Sequence, residues 1–97
     1  MKIAQNEAEY LEKLREAHEF PGMFTFKLIG KTSASLEEGA REIIRSMYPD
    51  LEPSFTRRES SKGRHVSVTI EMLVPDAEAV VTLYRRFNEL PGLHMLM

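Results

Sequence analysis

Lys31, Lys62 and Arg64 are the residues whose type and spacing come nearest to a chemical site in this chain. Lys31 sits in Gly30-Lys31-Thr32-Ser33, and Lys62 and Arg64 flank Gly63 at the end of a polar Ser60-Ser61-Lys62-Gly63 run. Cations beside glycines, which let a backbone approach a ligand closely, suit the capture of a small anion or carboxylate. The topology set out below would place Lys31, Lys62 and Arg64 around the N-terminus of a helix that starts near Ser35, whose free N–H groups and positive dipole end favour negative charge. The candidate ligand-binding set is Gly30, Lys31, Thr32, Lys62, Gly63 and Arg64. The plainer alternative is that the cations decorate solvated turns and the glycines serve backbone geometry alone.

Other chemistry is poorly supported. Arg57, Arg58, Lys62, Arg64 and His65 form a local basic patch, the composition of a weak RNA-binding surface, but the formal net charge of the chain is -2 and gives no general pull toward nucleic acid. Phosphate-binding glycine loops and the serine-nucleophile motif are missing, and Ser61-Lys62 has no neighbouring base in sequence to activate a hydroxyl. The chain has no cysteine, which removes thiol catalysis, cysteine-ligated metal and disulfides together. Its three histidines, 18, 65 and 94, are isolated in sequence. His65 and His94 are expected on strands separated by a third, about 10 Å apart at a strand spacing of about 4.8 Å, too far to share a metal. The six methionines include Met95 and Met97, expected to fill gaps in the core. The reading is of a protein that is not an enzyme and needs no metal or cofactor.

The elements that must position these residues follow from periodicity. Asn6 to His18 reads as an amphipathic helix with a thin apolar stripe of Tyr10, Leu11, Leu14 and Ala17, and with Asn6 as cap. Residues 1–19 hold five glutamates against three lysines and arginines, whereas the remainder balances at ten against ten. Residues 1–19 therefore read as a helical arm, packed on its own domain or on a partner, and 20–97 as the domain proper. Phe24, Phe26 and Leu28 alternate with Thr25 and Lys27 as a strand. Ser35-Leu-Glu-Glu38 has the form of a capping box, and Leu36, Ala40, Ile43, Ile44 and Met47 follow at helical spacing. The Ser60–Arg64 turn joins two extended runs as a hairpin whose second strand places Val66, Val68, Ile70 and Met72 inward. Asp76 caps a last helix with Ala77, Val80, Val81, Tyr84, Phe87 and Leu90 on its buried stripe, and Leu93–Met97 ends the chain as an edge strand.

The order helix, then β-α-β-β-α-β, predicts an α+β, ferredoxin-like sandwich with a four-stranded antiparallel sheet, two helices on one face and an extra N-terminal helix. Right-handed crossovers put the first and third strands in the centre. The loop after the first strand, the Ser60–Arg64 turn and the Leu90-Pro91-Gly92 connection then share one end of the sheet. Its open face should carry Thr25, Lys27, His65, Ser67, Thr69 and Glu71. The apolar edge Leu93–Met97 invites homodimer pairing or a cover from the N-terminal helix. Met1-Lys-Ile-Ala-Gln-Asn-Glu has no apolar signal core and no apolar run approaches the length of about 20 residues that spans a bilayer, so a soluble cytoplasmic protein with no membrane contact is expected.

Phe20-Pro21, Phe24-Thr-Phe-Lys-Leu-Ile-Gly30, Ser60-Ser-Lys-Gly63 with Ser67-Val68, the Leu83-Tyr84 pair and the apolar C-terminus together resemble the YbeD-like family of small bacterial proteins, over residues 20 to 97. The resemblance implies a ferredoxin-like fold similar to ACT regulatory domains, which bind effectors near the loop after the first strand. It also implies a non-catalytic regulator that senses a small carboxylate metabolite, lipoate-related in the family's loose description, or that docks on an enzyme. A protein-interaction module without a small ligand and a weak RNA binder through the basic hairpin are the alternatives. The chain departs from the family pattern in its longer N-terminal arm and in His65, where an aromatic residue is common.

Overall fold

Alternation of apolar and polar side chains at period two settles the sheet, and helical spacing settles what covers it. In the computed structural model, which describes residues 7–97, α1 (Glu7–Ala17) precedes β1 (Gly22–Lys31), α2 (Leu36–Met47), β2 (Ser54–Glu59), β3 (His65–Val74), α3 (Ala77–Phe87) and β4 (Leu93–Leu96). The Asn6 cap lies outside the described residues. The strands form one sheet in the order β2-β3-β1-β4, every neighbouring pair antiparallel, with the first and third strands central as the crossover rule requires.

The core lies between the sheet and the helices. Phe26 and Leu28 of β1 face Val66, Val68, Ile70, Met72 and Val74 of β3, all buried. From above, α2 contributes Leu36, Ala40 and Ile44, and α3 contributes Ala77, Val80, Val81, Leu83, Tyr84 and Phe87. The Phe26 ring meets Tyr84 and Phe87 edge-on, with centroids 5.1 and 5.4 Å apart, in the T-shaped arrangement that aromatic quadrupoles favour. The helical arm packs on its own domain. Leu14 is buried in the same core, and exposed Arg15–Glu78 and Arg85–Glu7 pairs fasten α1 to α3.

Two local expectations need correction. Ser35 stands at the N-cap of α2 but makes no side-chain cap bond, because its backbone at φ -87°, ψ 59° leaves the extended region that aims a cap oxygen at the third helical N–H. The capping box is therefore open, whereas Asp76 does cap α3, accepting from the Ala79 N–H at 2.8 Å. Met95 and Met97 do not fill the core. Leu96 pairs with the inward-facing Leu28 and Met95 with Ile29, which turns Met95 and Met97 outward with about half of each exposed.

Candidate anion site at the loop end of the sheet

Three connections meet at one end of the sheet, and backbone bonds tie them together. β1 ends at Lys31, whose N–H donates to the Gly92 carbonyl at 3.0 Å, and the next residue, Thr32, donates its N–H to the Arg64 carbonyl at 3.1 Å. The hairpin turn is closed by Ser60 N–H to the His65 carbonyl and by Gly63 N–H to the Ser60 carbonyl, each at 2.9 Å, with Gly63 at φ +69°, where a side chain would be strained. Each loop end is thus fixed by its neighbour's backbone.

Two concavities result, sharing Thr32 and Ser33. The larger, an open hollow of about 670 Å³, is lined by Lys31, Thr32, Ser33, Gly63, Arg64, His65 and His94. The smaller, about 230 Å³, runs from Thr32 along the start of α2 to Glu38, with Arg57, Val66 and Val68 on its other wall. Of the six residues expected from sequence, Lys31, Thr32, Gly63 and Arg64 line the larger hollow. Gly30 lies buried beneath it, where an added Cβ would meet the Gly92 carbonyl oxygen at 2.3 Å and Leu36 Cδ1 at 2.8 Å; its role is close backbone approach. Lys62 is exposed on the turn and outside both concavities.

The cations do not ring the helix start as the topology suggested. Arg57 alone reaches the cavity beside α2, and Lys31 and Arg64 stand across Thr32 from it. With the Ser35 cap unmade, the N–H groups of Leu36, Glu37 and Glu38 have no intrahelical partner, the first such bond being Gly39 N–H to the Ser35 carbonyl at 2.8 Å. Thr32 lines both concavities, and its hydroxyl is buried without a hydrogen-bond partner among the described residues. Lys31 and Arg64 have no carboxylate in salt-bridge range among the described residues. The end of the sheet therefore offers unneutralised positive charge and unused donors.

His65 and His94 are the pair that sequence reasoning misjudged. Their ring centroids are 5.5 Å apart, not about 10 Å, because the pairing of β4 with β1 shifts register between Ile29 and Gly30 and lets His94 lean across the end of β1. A bulge of this kind leaves no mark in a four-residue strand sequence. Among the described residues no group of three or more His, Cys, Asp or Glu could hold a metal ion.

Comparison with known proteins gives a consistent picture. The family described as "Protein of unknown function (DUF493)" matches residues 15–97. A UPF0250 protein from Shewanella piezotolerans is 35% identical over 86 residues, covering 88% of this chain and 96% of the relative, and one from Klebsiella pneumoniae is 34% identical over 86 residues, covering 88% and 97%. Among solved structures, protein HP0495 from H. pylori superimposes with a TM-score of 0.66 at 14% identity, over 82% of this chain and 85% of that one. The ACT domain from GTP pyrophosphokinase of Chlorobium tepidum does so with a TM-score of 0.59 at 13% identity, over 77% and 94%. These two likenesses bear on the fold, which is ferredoxin-like and ACT-like. The matched segment, the curated relatives and the SSKG hairpin agree: the chain belongs to the DUF493 family, the UPF0250 or YbeD-like proteins.

Proposed function

We propose that this protein is a non-catalytic cytoplasmic regulatory module that senses a small carboxylate metabolite at the loop end of its sheet. One observation supports the reading: Thr32 links the hollow lined by Lys31 and Arg64, which have no carboxylate partner among the described residues, to the cavity along a helix start whose cap is unmade. A carboxylate there would accept from N–H groups of the helix start while meeting positive charge, the combination that makes charge-assisted hydrogen bonds short and strong. The ACT-like fold supports a regulatory role by analogy.

Ligand-dependent thermal stability tests it, since a ligand bound only by the folded state raises stability with the logarithm of its concentration, by about 2.7 kcal/mol at about 100 times Kd. Lipoate, octanoate and the common amino acids form the first panel. One of them should raise Tm in a saturable way, and Lys31→Ala with Arg64→Ala should abolish the rise while leaving the ligand-free Tm unchanged. A rise that survives both substitutions would move the site elsewhere, and a flat response to every carboxylate would leave a protein-docking module without a small ligand.

A further inference from the structure

The cations of this protein divide sharply. Among the described residues, Lys13, Arg15, Arg41, Arg45, Arg85 and Arg86 on the helices, and Arg57 on the helix side of β2, each have a carboxylate partner. Those without one are Lys27, Lys31, Arg58, Lys62 and Arg64. All five lie on the open face of the sheet or on the turn at its end. The register shows this directly: Arg58, Ser67, Ile29 and Met95 form one row across the face, and Thr56, Thr69 and Lys27 the next, where Met97 exchanges both backbone bonds with Lys27 at 2.8 and 2.9 Å. Glu71, on the following row with Ser54 and Thr25, is the one acid on this face of the described strands.

The same face exposes large apolar side chains. Met23 (65% exposed) and Leu73 (48%) are cross-strand partners at one end, and Met95 beside Ile29 and Met97 beside Lys27 lie toward the other. Single exposed apolar residues need no explanation, but four of them on one sheet face, three of them the adaptable thioether of methionine, mark an interaction surface. From the Ile29 row to the Met23 row is six residues of strand, about 20 Å, the length of a helix of about 14 residues.

We propose that the open sheet face docks an acidic amphipathic helix of a partner protein, its apolar stripe on Met95, Met97, Met23 and Leu73 and its carboxylates against Lys27, Lys31 and Arg58. Charge complementarity selects this occupant. A second copy stacked face to face would set like charges together, and RNA modules of this fold stack bases on exposed aromatic rings, of which these strands carry only imidazoles. The surface meets the small-ligand site only at Lys31 and does not rest on that reading.

The probe is a fluorescein-labelled helical peptide of about 18 residues with Leu at heptad positions a and d and Glu and Ala elsewhere. Anisotropy should give a Kd on the order of 100 µM for the full-length protein at low salt, weakening several-fold as ionic strength rises from about 0.05 to about 0.3 M. The same peptide with Lys for Glu should not bind, and Met23→Glu with Met95→Glu should weaken the acidic peptide about tenfold while the fold, checked by circular dichroism, is kept. Three results would overturn the proposal: no binding of the acidic peptide, binding unchanged by the face substitutions, or tighter binding of a labelled single-stranded RNA. A mass that rises with protein concentration and falls on Met23→Glu would instead assign the face to a second copy.

Discussion

Burial pushes the Tyr84 hydroxyl up to about 12, with Tyr10 beside it adding to the shift, and the hydroxyls of Tyr10 and Tyr48 are also raised by burial. The folded state therefore favours the neutral phenol. Tyr84's contribution to stability is complete below the unfolded value of about 10 and is lost as pH rises through about 12. A spectrophotometric alkaline titration should show Tyr84 ionising last, and Tyr84→Phe should flatten the fall in stability between those two pH values. Gly30→Ala should cost about 1–3 kcal/mol in urea unfolding, because the new methyl group meets the Gly92 carbonyl and Leu36. The meeting of Lys31, Gly63 and Arg64 at one end of the sheet was legible from sequence, because topology and turn position fix it, but the reach of the two cations relative to the helix start was not. Nor was the placement of His94 or Met95 legible, which depends on a register shift between β1 and β4 that local sequence does not encode.

Helix ends and helix docking belong to the scale of elements. Asp76→Ala should destabilise by about 1 kcal/mol, whereas Ser35→Ala, whose hydroxyl makes no cap bond, should cost less than about 0.5 kcal/mol, both read from chemical denaturation midpoints. The two residues look equally good as caps in sequence, and the difference arises from the short loop that Ala34 closes on the Lys31 carbonyl. For α1, Leu14→Ala should cost about 2–4 kcal/mol, because Leu14 is buried in the common core. Removing Arg15 or Arg85 should cost under about 1 kcal/mol, since both pairs are exposed. The thin apolar stripe of α1 was readable, but which surface it meets was not, because three or four apolar residues fit a partner as well as α3.

At the scale of the whole molecule, the βαββαβ order, the central strands and the shared loop end were all carried by periodicity and turn residues, since period-two alternation and right-handed connection leave few topologies. What pattern did not reveal is how charge is distributed. Among the described residues the acids crowd the helices with their paired cations, while the unpaired cations gather on the sheet and its loop end, a segregation visible only after folding brings Lys27, Lys31, Arg58 and Arg64 together. The carboxylate reading turns on the loop end, and an amide NMR titration of the isotope-labelled protein with lipoate, octanoate and the common amino acids tests it most directly. The predicted result is saturable shifts confined to Lys31–Leu36 and Gly63–His65 for one carboxylate, lost in the Lys31→Ala, Arg64→Ala double variant. Shifts centred elsewhere, or none for any carboxylate, would contradict it.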